Sequence, residues 1–230
     1  MNPAISELTA KSVSDLDEIY EFVAYSNLAF KLCGDAVTSG MKLTAVLPPL
    51  NRTIDQTVLK EKLDSYGKTY LVELGFQLSV SAFETWLFDL LRVLLSDPRR
   101  LNKKRKIDVA DIVSAKSLTD LTRTIIDAEL NEIRYRKPAD WFEHLSTFVN
   151  IGAPSVHDIE KLSEIKASRD ILVHNNGIAN QIYLQKSGTL ARVTDGERIS
   201  IGPDYWNASW NHLRDMTETV GNLTASRASV

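Results

Sequence analysis

The chain has 230 residues, of which 25% are charged and 43% hydrophobic, and its formal net charge is −3. That length suits one sizeable core or at most two small ones, and that composition argues against global disorder. The mild acidity neither demands nor excludes nucleic acid, because a local patch outweighs a total.

A single cysteine, Cys33, rules out an intrachain disulfide and fits a reducing compartment. The first residues lack a basic start followed by an apolar run, so no signal peptide is expected and a cytoplasmic location is. The most apolar stretch, Tyr70 to Leu95, is interrupted by Glu73, Gln77, Glu84, Asp89 and Arg92. A bilayer tolerates such charges poorly, so this stretch is expected to be a core helix rather than a membrane span. N-x-S/T sequons at Asn51, Asn207 and Asn222 then carry no meaning, since an intracellular chain does not meet the glycosylation machinery.

From Ser14 to about Gly34, helical spacing joins Leu16, Ile19, Tyr20, Val23 and Phe30, with a weaker continuation to Val46 that Pro48 and Pro49 end. Asp55 or Thr57 opens a long helix whose stripe is Phe83, Trp86, Leu87, Leu90, Leu91 and Leu94. Gly67 and Gly75 weaken or bend it, and Pro98 stops it. The run RRLNKKRK follows, with six basic residues in eight. Shorter helical patterns cover Asp108–Ala115, Ser117–Arg136 and Pro138 to about Asn150, the last with proline at a helix start. Ser155 is the expected cap of a helix reaching about Asn176, where Gly177 suits a left-handed end. QIYLQ, TLARV and ERISI read as short strands, with Asp195-Gly196 as a hairpin signal. Pro203 starts a last helix carrying Trp206, Trp210, Leu213, Met216 and Val220, and the final residues, ASRASV, are expected to fray.

These elements predict a mainly all-α fold in a single domain, residues 1–230. Residues 1–55 form an N-terminal helical lead-in, 56–180 a helical core, 181–201 a β-hairpin or meander, and 203–225 the C-terminal helix.

The segment RDILVHNN, Arg169 to Asn176, is the stretch best equipped for chemistry. On a wheel of about 100° per residue, Ile159, Leu162, Ile165, Leu172 and Val173 make an apolar stripe centred at about 270°, and Arg169 falls at about 280°. A guanidinium stays charged, so an arginine there must be paired or must reach a polar cleft or an interface. Asp170 and His174, four residues apart, share an adjoining face. The aspartate can accept a hydrogen bond from one imidazole nitrogen and leave the other free for proton transfer. Asn175 and Asn176 offer amide donors at the helix end. An arginine for anionic charge, a histidine for a proton and amides for orientation suit phosphate-ester chemistry at a 2′-hydroxyl. In the alternative reading Arg169 makes a buried ion pair with Glu84 or Glu73, and His174 favours the helix dipole.

SRDILVHNNGIANQIYL resembles the signature of the HEPN superfamily, an arginine followed after four to six residues by a histidine. It looks most like the RiboL-PSP-type branch, whose segment ends in V-H-N-x-G before a short strand. Arg169, Asp170 and His174 match residue by residue. SAFETWLFDLL resembles the first core helix of that branch, with Glu84 at an acidic position, and Ser117 to Phe148 resembles its middle helices. The likeness spans roughly Tyr70 to Leu184. It implies a helical bundle that pairs about a two-fold axis, where two Arg/His motifs meet and cut RNA without metal or other cofactor. The histidine would help the 2′-hydroxyl attack the adjacent phosphate, and the arginine would stabilise the phosphate charge. The implied roles are those of a toxin or defence effector with a cognate antitoxin or partner protein. Inactive family members that only bind RNA or partners supply the alternative.

Arg99, Arg100, Lys103, Lys104, Arg105 and Lys106 either grip an RNA backbone or form a solvated loop. His144, His157 and His212 are scattered and lack zinc spacing, so no metal site is expected, and His144 is read as a surface residue. No phosphate-cradling glycine loop and no G-x-S-x-G elbow occurs.

Overall fold

The computed structural model describes residues 1–43, 45–101 and 106–228. It is a mainly helical bundle. Helix α1 spans Pro3–Thr38. Its early start follows from Asn2, whose side-chain oxygen accepts from the backbone N–H of Ala4 at 3.1 Å and Ile5 at 3.4 Å, with Pro3 in the first turn. The expected continuation to Val46 does not occur. Strands β1 (Ala45–Leu47) and β2 (Arg52–Ile54) form a two-stranded antiparallel hairpin instead, with Val46 opposite Thr53. Pro48–Leu50 and a left-handed Asn51 make its turn.

Asp55 caps α2 (Gln56–Ser65), accepting from Thr57 N–H at 2.9 Å. A π turn, Tyr66–Tyr70, joins α2 to α3 (Leu71–Leu95) at Gly67, so the helical path is distorted where glycine weakens it. Helix α3 is the central rod, with Phe76, Val80, Phe83, Leu87, Leu90, Leu91 and Leu95 fully buried. Gly75 admits close packing: a Cβ there would lie 2.7 Å from Val23 and 3.0 Å from the Trp206 ring.

Helices α4 (Val109–Ser114), α5 (Leu118–Arg134) and α6 (Pro138–Phe148) follow. Trp141 locks α6 to α5 by donating its Nε1–H to the Ile133 carbonyl at 2.9 Å. Ser155 caps α7 (Val156–His174) by accepting from Asp158 N–H, and Asp158 answers by accepting from Ser155 N–H at 3.1 Å. Helix α9 spans Pro203–Arg227. Its described end is tied down rather than frayed: Ala225 and Ala228 are buried, and Asn2 N–H donates to the Ala225 carbonyl at 2.7 Å, while Ser229 and Val230 lie outside the described residues.

The first helix is part of the core. It packs against both α3 and α9, burying Ile5, Leu16 and Val23 completely. Trp210 donates to the Leu16 carbonyl at 2.8 Å, and Arg214 pairs with Asp17 at 2.8 Å. Among the described residues no helix is long and apolar enough to cross a membrane.

The expected meander at 181–201 is corrected. QIYLQKS is helix α8 (Gln181–Ser187), capped by Asn180. A run of only three apolar residues, Ile182 to Leu184, fits either period. Here the helical one wins, because it puts Tyr183 and Ser187 on one buried face against α7. The turn at Asp195-Gly196 does form, but the chain after it returns to the end of α7. Ala179 N–H donates to the Glu197 carbonyl at 2.8 Å, and Ile199 N–H to the Gly177 carbonyl at 2.8 Å. Ala167, Ile171, Ala179, Tyr183 and Ile199 form a small second core under this layer.

Candidate active site

Helix α7 presents three different sides. Leu162 and Ile165 join the main core. Ala167 and Ile171 meet α8 through the second core. Between these sides run the charged residues. Arg169 Nη2 pairs with Glu84 Oε2 on α3, and Lys166 Nζ lies 2.9 Å from Glu84 Oε1. Asp170 gathers Lys166 at 3.3 Å, Arg169 at 3.4 Å and Lys186 of α8 at 3.4 Å. The two sequence readings of Arg169 are thereby separated, because its guanidinium is engaged by Glu84 rather than open to a cleft. Its Nε is buried with no hydrogen-bond partner among the described residues.

His174 ends α7 on the exposed surface. It lines a cleft of about 250 Å³ with Asp170, Asn175, Asn180, Tyr183 and Lys186. The expected hydrogen bond from His174 to Asp170 is not formed among the described residues: Asp170 is held by cations instead. Asn175 turns its amide inward, donating to the Ile178 carbonyl at 2.6 Å, so it shapes the helix end. Asn176 is exposed and left-handed, and Gly177 after it donates back to the Ile171 carbonyl at 2.8 Å. Both residues have positive φ, which asparagine and glycine tolerate best.

The basic run is placed elsewhere. Asp97 holds Arg99 at 2.8 Å and Arg100 at 3.8 Å. The Arg99 side chain draws the Asp97 carboxyl down to about 2. Lys106 is exposed, while Lys103, Lys104 and Arg105 lie outside the described residues. Neither Arg99, Arg100 nor Lys106 lines the His174 cleft.

Two features escaped the sequence reading. Lys166 and Lys186 complete the charge cluster, and Lys186 was hidden because its segment reads as a strand. Below the cleft, Glu164 is buried and accepts from Ser168 Oγ and from the Tyr205 hydroxyl, each at 2.6 Å. Burial pushes the Glu164 carboxyl up although both hydroxyls oppose the shift. Burial and the Glu164 charge likewise push the Tyr205 hydroxyl up. Arg192 stacks on the Tyr205 ring, 3.4 Å from its centroid. The i, i+4 spacing of Glu164 and Ser168 was the available signal.

His144 is corrected from surface to half-buried. It packs edge-on to Phe148 and lies 3.6 Å from Glu129, and burial lowers its pKa. Among the described residues no three His, Cys, Asp or Glu side chains cluster as metal ligands would. In comparison with known proteins, no family model, no curated protein and no solved structure matches this chain.

Proposed function

We propose that the chain is a metal-independent endoribonuclease of the HEPN type that acts as a homodimer, in the role of a toxin or defence effector. One observation carries the reading: His174 is exposed at a cleft whose lining includes a carboxylate, Asp170, and a cation, Lys186. In the proposed step, His174 of one protomer accepts the proton of an RNA 2′-hydroxyl. The 2′-oxygen bonds to the adjacent phosphorus, and the bond to the 5′-oxygen breaks. A second acid, His174 of the other protomer, returns a proton to that oxygen. A 2′,3′-cyclic phosphate and a 5′-hydroxyl remain.

A single protomer supplies only half of this pair. Val173, beside His174, and Ile182, in the cleft wall, are exposed apolar side chains that a second copy would cover. Arg169 is assigned a positioning role, because Glu84 and Asp170 hold it and it in turn holds Asp170.

That same engagement of Arg169 favours the second reading, a non-catalytic HEPN module that binds RNA or a partner protein such as an antitoxin. The two readings part on cleavage of single-stranded RNA with chelator present. Wild type should cut, and His174→Ala should lose about 10²-fold or more of the rate, the scale of general acid–base catalysis. Equal cleavage by both proteins sinks the assignment to His174, and no cleavage by wild type selects the non-catalytic reading.

A further inference from the structure

We infer that the cleft between α7 and α8 is a phosphodiester subsite whose working cation is Lys186; this rests on the ribonuclease reading for its biological ligand. The cluster holds three cations, Lys166, Arg169 and Lys186, against two carboxylates, Glu84 and Asp170. One positive charge is therefore in excess, and its location follows from the contacts. Both oxygens of Glu84 are occupied, one by Lys166 and one by Arg169, and each of these cations is only 15% exposed. Lys186 is 42% exposed, and its one ion pair among the described residues is the 3.4 Å contact to Asp170 Oδ2, an oxygen that Lys166 also approaches at 3.3 Å. The excess charge thus belongs to the residue that faces the cleft and is held most loosely.

The backbone beneath Lys186 is fixed. Asn180 accepts from Tyr183 N–H at 2.9 Å, and the buried Tyr183 hydroxyl accepts from Arg192 N–H at 3.0 Å. A long lysine stem on a fixed helix can turn its ammonium from Asp170 to an anion without moving the fold.

The test uses a short 2′-O-methyl RNA oligonucleotide, which lacks the nucleophile and cannot be cut by 2′-attack, with binding followed by fluorescence anisotropy at several salt concentrations. Lys186→Ala is expected to bind about tenfold more weakly and to lower the salt slope by about one. Lys186→Arg should stay within about threefold of wild type, since it keeps the charge. The inference is overturned if Lys186→Ala binds as wild type does, or if wild type does not bind the oligonucleotide. Cleavage of unmodified RNA keeps this outcome apart from the ribonuclease reading. Lys186-dependent binding without cleavage sinks that reading and leaves the subsite. Cleavage with KM unchanged in Lys186→Ala sinks the subsite and leaves that reading.

Discussion

Glu164 and Asp170 lie six residues apart on α7, and the structure treats them oppositely. Glu164 turns into the bundle, where two hydroxyls donate to it and burial favours its neutral form. Asp170 turns to a half-open rim, where three cations surround it. One helix thus carries a hydrogen-bonded acid that closes the fold and an ion-paired acid beside a cleft. Environment rather than residue type decides which carboxylate is buried in the fold and which lines a cleft.

The largest effect expected from breaking this contrast is on the ionic side. Glu84→Ala leaves the Arg169 guanidinium buried without its main partner and should cost about 3 kcal/mol, the low end for a broken buried pair, because Asp170 remains. Replacing both partners by apolar residues, Glu84→Leu with Arg169→Met, should recover most of that loss. Urea denaturation of the single and double variants measures it, and a loss below about 1 kcal/mol in the single variant would mean the pair is solvated.

A smaller effect is expected on the hydroxyl side. Tyr205→Phe removes one of the two donors to Glu164 and should cost about 1–2 kcal/mol by the same denaturation. It should leave RNA cleavage little changed, since Tyr205 is not in the cleft wall.

The smallest effect is a pH dependence that sharpens the contrast. Burial raises the Glu164 carboxyl above its ordinary value of 4.5, so the native chain keeps a proton that the unfolded chain has lost. Its contribution to stability is complete below pH 4.5 and is lost as pH rises through the folded value. Glu164→Gln cannot ionise. The melting temperature of that variant relative to wild type should therefore climb as pH rises through this window. A difference that is flat with pH would mean Glu164 is not held in its neutral form.

Most of the architecture was legible in the sequence because long helices print their apolar period. The starts at Asp55, Pro138, Ser155 and Pro203 could be read from capping chemistry, and α3 from its near-continuous apolar run. The segment 181–187 was not legible, because a short apolar run has no period to read and the deciding contact, Tyr183 against α7, is tertiary. The wheel placed Arg169 on the packing face correctly, yet it showed one apolar stripe where α7 is buried on two sides. Glu164, Ala167, Ser168 and Ile171 form the second buried side, and polar or small residues do not announce burial. At the site, Arg169, Asp170, His174 and Glu84 were all legible as residues, and the Arg169–Glu84 pair was one of the two readings of that arginine, but the partners of Asp170 were not legible. Asp170 was expected to serve His174 and is held by lysines that belong to no motif.

The chemistry of the RNA ends made by wild type, in chelator, tests most directly the claim that His174 works on a 2′-hydroxyl. Mass spectrometry of the products should find 2′,3′-cyclic phosphate and 5′-hydroxyl ends that disappear with His174→Ala. Fragments ending in 3′-hydroxyl and 5′-phosphate, or cyclic ends that persist in the variant, would contradict it.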